Sequence, residues 1–190
     1  MNPAPPARPA APRLATDLAK TLNLSDAGKA LLNATLTVRQ YFDALVGAGH
    51  HQDAIRFLAA ALPKRESVWW GVACAREVLK ALPEPQAKAL AAAERWVKDP
   101  TEGNRRSAGA AAEAAGYGNP PGSLAAGAFW SGGSLAPANL PAVLPRDDLT
   151  GVAVGAALVL ASVADPEKAA AARKRFLALG ADVAAGKSKW

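Results

Sequence analysis

Cysteine is nearly missing from this sequence: Cys74 stands alone among 190 residues. A lone cysteine excludes an intramolecular disulfide framework and any multi-cysteine zinc site, and it fits a reducing compartment. Histidine is almost as scarce. His50 and His51 are adjacent in a glycine-rich turn, with Asp53 two residues on. A metal site wants ligands that converge, as positions i and i+4 on a helix do, and HHQD does not supply that spacing. Missing as well are GxSxG, HExxH, paired-carboxylate and dinucleotide-binding patterns. No catalytic residue, metal ligand or cofactor is therefore assigned, and the chain is read as a non-enzyme. An unfamiliar active site would need Asp99, Glu102, Arg105 and Arg106 to meet His50 in a cleft. SGGS at 131–134 lacks the lysine and following helix of a P-loop, so it reads as a helix C-terminal cap. Long apolar runs are lacking too. The longest uncharged one, Gly151–Ala164, has 14 residues, short of the ~20 that a bilayer-spanning helix needs, and it is expected as a buried core helix. The opening MNPAPPARPAAPR has no apolar segment of the kind a secretory signal uses. The expectation is a soluble, cytoplasmic protein without membrane insertion.

What is abundant is alanine, with 48 residues, about half of the 51% hydrophobic total. Alanine is the strongest helix former, and β-branched residues are few, so all-β and wholly disordered classes are excluded. The length gives one domain with tails. Residues 1–13 form a Pro/Ala-rich disordered leader, 14–185 a single helical domain, and 186–190 a basic tail. The expected fold is all-α, with antiparallel helical hairpins stacked in one globular or short solenoid-like domain of roughly eight or nine helices. An extended Pro-rich strap at 131–148 completes it.

The net charge is +6, distributed as +2 over residues 1–13, +2 over 14–100, −1 over 101–150 and +3 over 151–190. Excess positive charge thus sits at the ends, in Arg8 and Arg13 and in Arg173, Lys174, Arg175, Lys187 and Lys189. Such ends support a nucleic-acid-associated protein as the alternative function, since they can neutralise phosphates in a salt-dependent way. No basic stripe interleaved with stacking aromatics accompanies them.

Along the chain, Leu14, Leu18 and Leu22 followed by Ala27, Leu31 and Leu32 predict two short helices, the second capped by Ser25. Thr37 caps the next, which ends at VGAGHH and pairs with a helix carrying Ile55, Leu58 and Leu62. The stretch from Lys64 to Leu82 has apolar residues on two sides: Val68, Trp69, Val72 and Leu79 on one, Trp70, Cys74 and Val78 on the other. A helix of that kind sits centrally. Pro85–Val97 is amphipathic, and Asp99-Pro100 with Glu102 predicts a helix start capped by Asp99. That helix ends near Gly116. Arg105 and Arg106, in its first two turns, are expected to find acidic partners or face solvent. A further helix passes through Leu124, Phe129 and Trp130. After the strap comes a hairpin of Thr150–Val163, with Gly151 and Gly155 permitting close backbone approach, and Pro166 to about Ala185, with Phe176, Leu179 and Val183 inward.

Pro137, Pro141 and Pro145 forbid a helix across the strap, yet Leu135, Leu140, Val143 and Leu144 are too apolar for a solvated linker. Long irregular loops are often functional. Adjacent Trp69 and Trp70 point about 100° apart on a helix; either both pack in the core or one is left out as an interface anchor. The candidate protein-binding residues are therefore Trp69, Trp70, Trp130, Leu135, Leu140 and Leu144, and the expected partner is another protein.

Four segments, at 54–76, 93–106, 111–122 and 128–141, together resemble a bacterial family of small all-helical domains of unknown function. VWW, DPTE followed by NRR, and FWSGGSLAP carry the likeness, which spans about residues 24–165. The resemblance implies no activity and no catalytic residue. It implies a loose association with type VI secretion effector-delivery gene clusters, as an adaptor, chaperone or scaffold component.

Overall fold

The computed structural model describes residues 14–137 and 139–187. The leader at 1–13 and residues 188–190 of the basic tail lie outside the described residues. Among the described residues ten α-helices follow one another: α1 (Ala15–Ala19), α2 (Asp26–Ala30), α3 (Val38–Gly47), α4 (His51–Ala61), α5 (Lys64–Val78), α6 (Glu84–Lys98), α7 (Glu102–Ala115), α8 (Pro120–Phe129), α9 (Leu149–Ser162) and α10 (Ala169–Ala184). A 3-10 turn, Pro166–Lys168, leads into α10. The fold is all-α; among the described residues the only β pairing is an isolated bridge between Leu14 and Thr37.

Short polar side chains start four of these helices by satisfying amides that have no partner in the first turn. Ser25 Oγ accepts from the Gly28 amide at 3.0 Å, and Thr37 and Gln40 form a reciprocal capping box. Asn119 Oδ1 accepts from the Gly122 amide at 2.9 Å, ahead of Pro120 and Pro121. Thr101, rather than Asp99, caps α7: its hydroxyl accepts from the Asn104 amide at 3.3 Å. Asp99 instead closes α6, and its carboxylate accepts from the Asn104 side chain at 2.9 Å. α5 stops at Val78, four residues before the expected Leu82, where Leu79 turns extended.

α5 packs against α6, α8, α9 and α10, the central place its two apolar sides require. Trp70 is 0% exposed, and its indole N–H donates to the Phe176 carbonyl of α10 at 2.8 Å. Tyr41 meets Phe57 edge-on at 4.8 Å between ring centroids, and its hydroxyl donates to the Gly28 carbonyl at 2.8 Å, tying α2 to α3. On α10 the buried leucine is Leu177, with Leu179 half-buried.

α9, apolar around its circumference, lies among α4, α5 and α8. It approaches α4 closely: a Cβ at Gly151 would fall 2.6 Å from the Ala60 Cα, and one at Gly155 3.1 Å from the Arg56 Cα. α9 and α10 thus return onto α4 and α5. A solenoid keeps contacts between sequence neighbours; this chain closes instead into one globular domain. Among the described residues no single helix is long and apolar enough to cross a membrane.

Candidate functional site

Glu102, Arg105 and Arg106 occupy positions i, i+3 and i+4 of α7, so they share one face of its first two turns. Arg105 grips the Glu102 carboxylate through Nε at 2.6 Å and Nη2 at 2.7 Å, and Arg106 Nε joins at 2.8 Å. The Arg105 guanidinium first, and Arg106 with it, hold the Glu102 carboxyl far below its usual range, down to about 2. The opposite edges of both guanidiniums face the irregular segment that follows α8. Arg105 donates to the Phe129 carbonyl at 2.6 Å and the Ser134 carbonyl at 2.9 Å. Arg106 donates to the Ala136 carbonyl at 2.9 Å and again to that of Ser134 at 3.0 Å. Arg105 is only 4% exposed and lies 4.8 Å from the centroid of the Phe129 ring, within cation–π range.

Proline explains why the segment needs these donors. Pro137, Pro141 and Pro145 contribute no N–H, so a regular ladder cannot form and carbonyls must find partners elsewhere. The guanidinium fork supplies several fixed donors at once. The remaining bonds close the segment on itself: Leu135 N–H donates to the Val143 carbonyl at 2.7 Å, and Val143 N–H to Ser134 Oγ at 3.1 Å. Lys64 Nζ joins its two ends, donating to the Ser131 carbonyl at 3.1 Å and to Asp147 at 3.2 Å. The expected extended strap is therefore a loop closed on itself and clamped to α7.

Its side chains divide sharply. Leu140, Val143 and Leu144 are 54%, 55% and 73% exposed, whereas Leu135 is half-buried. At the root of the loop, half-buried Trp130 stacks on exposed Tyr117, with 6.0 Å between centroids and 17° between planes. Trp69 is half-buried against the core. Trp70 is removed from the candidate surface: it is enclosed on every side and its one polar atom is bonded inside. Of the six residues singled out from the sequence, Trp130, Leu135, Leu140 and Leu144 thus belong to the loop and its root. Tyr117 and the two clamping arginines were missed as site residues, although the Glu-x-x-Arg-Arg spacing was the signal for the clamp.

The other polar candidates lie apart. His50 lines a polar cavity of about 450 Å³ with Ser25, Asp53, Arg56 and Arg173, and does not meet the α7 cluster. Asp53, buried there, accepts from the Ser25 amide at 3.1 Å and hydroxyl at 2.5 Å. Cys74 is fully buried, and burial pushes its thiol well above the usual range, the condition of an inert packed thiol. Among the described residues no three His, Cys, Asp or Glu side chains converge as a metal site would require.

Fold and loop together define a small all-α domain that holds an apolar surface loop with an arginine clamp. The chain belongs to the DUF6931 family, a family of unknown function, which it matches over residues 41–184. That match begins later than residue 24 and takes in α10, beyond the residue 165 where the likeness read from the sequence ended. No curated protein and no solved structure matches the chain significantly.

Proposed function

We propose that the protein is a non-enzymatic interaction module, an adaptor, chaperone or scaffold, that binds another protein through the clamped loop and serves a bacterial secretion apparatus. One observation carries this reading: Leu140, Val143 and Leu144 are each more than half exposed on a loop whose backbone is held by Arg105, Arg106 and Lys64. A fixed backbone lowers the ordering cost that would otherwise be set against burying these apolar side chains on binding. The stacked Tyr117–Trp130 pair adds aromatic surface of the type enriched at binding hot spots.

The test compares the wild-type protein with a Leu140→Ser/Leu144→Ser double variant in quantitative affinity purification from the native host. The expected result is a defined partner retained at least tenfold better by the wild type, with equal melting temperatures. Equal recovery, or a variant altered only in stability, overturns the proposal. Nucleic-acid association is the rival reading, supported by Arg173 and Lys174, which have no carboxylate partner among the described residues. Duplex and single-strand titrations at low and moderate salt separate the two.

A further inference from the structure

A second surface lies on the far side of α4 from α9. α3 and α10 both pack on α4, and a furrow runs between them. It consists of two cavities, of about 330 and 410 Å³, that share Arg39, Phe42 and Ala181 in their walls. One wall is the stripe Val38, Phe42 and Val46 of α3, at i, i+4 and i+8. The other is Leu177, Ala181 and Ala184 of α10, at i, i+4 and i+7. Phe57 and Leu58 of α4 form the floor. Alanines on the α10 side leave the space open, because their methyl groups do not reach across to Phe42.

The walls determine what can enter. Both are helices whose backbone groups are bonded within themselves, so an extended peptide would find no edge to pair with and would bury its own amides unsatisfied. A helix arrives with those groups already bonded, and its side-chain ridges match i and i+4 rows on both walls. The α3 stripe from Val38 to Val46 is about 12 Å long and the α10 side, from Lys174 to Ala185, about 16 Å, room for two to three helical turns. Charge fixes the polarity. Arg39 is neutralised by Asp43 at 2.7 Å. At the other end His51 and Lys174 line the furrow, and His51 opens into the cavity that holds Arg56 and Arg173. The carboxylate there, Asp53, is buried, bonded to Ser25 and 3.7 Å from Arg56, whose charge it offsets. Lys174 and Arg173 make that end cationic, while burial first and then these two cations hold the His51 imidazole below its usual range and so uncharged at neutral pH.

We propose that the α3–α10 furrow is a docking groove for an amphipathic helix of a partner protein, apolar along one face and acidic at the end that meets His51 and Lys174. This surface is separate from the clamped loop, so each can fail alone. The probes are three fluorescein-labelled peptides of about 14 residues on an alanine-rich helical host. One carries leucines at i, i+3, i+4 and i+7 with two glutamates at one end; the second has lysines in place of the glutamates; the third has serines in place of the leucines. Fluorescence anisotropy is expected to show the glutamate peptide binding at least about tenfold tighter than the lysine peptide, with no binding of the serine peptide. Lys174→Glu, an exposed change that spares the fold, reverses the preference between the charged peptides. Ala181→Glu abolishes binding of both leucine-bearing peptides, whereas Leu144→Ser changes none of it. No binding of the glutamate peptide, equal binding of both charged peptides, or binding that survives Ala181→Glu in a folded variant overturns the proposal. So does sedimentation showing a dimer that Ala181→Glu dissociates, because a second copy would then be what fills the furrow.

Discussion

Replacing Arg105 with methionine tests the clamp most directly. Methionine keeps an unbranched apolar stem against Phe129 and removes every guanidinium donor. Three losses follow, and they are unequal. The Phe129 carbonyl, now bonded by Arg105 at 2.6 Å, is left without that donor, which costs about 1–3 kcal/mol when the site stays dry. The Ser134 carbonyl keeps its bond from Arg106 at 3.0 Å, so the loss there is about 1 kcal/mol. The ion pair contributes least: 59% of the Glu102 side-chain surface is exposed, and a carboxylate so placed recovers most of its solvation from water and its remaining bond to Arg106. The expected cost is about 2–4 kcal/mol, a sizeable part of the ~5–15 kcal/mol that holds a domain folded. At ~2–4 °C per kcal/mol for a chain of this size, the melting temperature falls by roughly 4–16 °C. Circular dichroism measures the fall, and hydrogen exchange across residues 131–148 shows whether the loop is what comes loose. A variant that melts within ~2 °C of the wild type, with loop amides exchanging as slowly as before, refutes the clamp.

Three further outcomes follow from other contacts. Gly151→Ala places a methyl group 2.6 Å from the Ala60 Cα, and because the obstacle is backbone the helices must part; denaturant titration should show about 1–3 kcal/mol lost. Trp70→Phe leaves the Phe176 carbonyl without the indole N–H and opens space in the core, lowering stability by about 2–4 kcal/mol by the same measurement. The Glu102 carboxyl sits at about 2 in the folded protein against an ordinary 4.5. Its stabilisation is therefore complete above about pH 4.5 and disappears as the pH falls toward 2. Melting curves of the wild type and Glu102→Gln should converge across that window; with Glu102 largely exposed the gap stays below ~1 kcal/mol and shrinks in salt, and a gap that persists at pH 2 contradicts the assignment.

The helices were legible in the sequence because their signals are local. Ser25 and Thr37 cap where a short hydroxyl precedes an apolar period, and Gly49, with φ at 79°, ends the turn between α3 and α4. The glycines of α9 announced a close helix crossing, and Gly151 has one. What stayed hidden depends on contacts between distant positions. Nothing near Arg105 says that it will bond a carbonyl 29 residues further on. Trp69 and Trp70 differ by one residue, and which one is enclosed was decided by the return of α10, 106 residues after Trp70. The Asp99 cap failed for a different reason: Asp99 and Thr101 are both good capping residues, and α6 claims Asp99 as its own end.

An alanine-rich chain concentrates its stability in few places, since a methyl group removes little apolar surface from water. The large enclosed side chains here are Trp70, Tyr41, Phe57 and Phe176, all in the helical core and none in the loop. Leu140, Val143 and Leu144, each more than half exposed, contribute little to folding, and polar residues in their place would cost the domain little stability. Arg105 and Arg106 nevertheless hold in place the backbone that presents them. Folding accounts for the clamp, which satisfies the carbonyl at the end of α8 and those of Ser134 and Ala136; the three apolar side chains beside it face outward. On the proposed reading, the partner protein is what covers them.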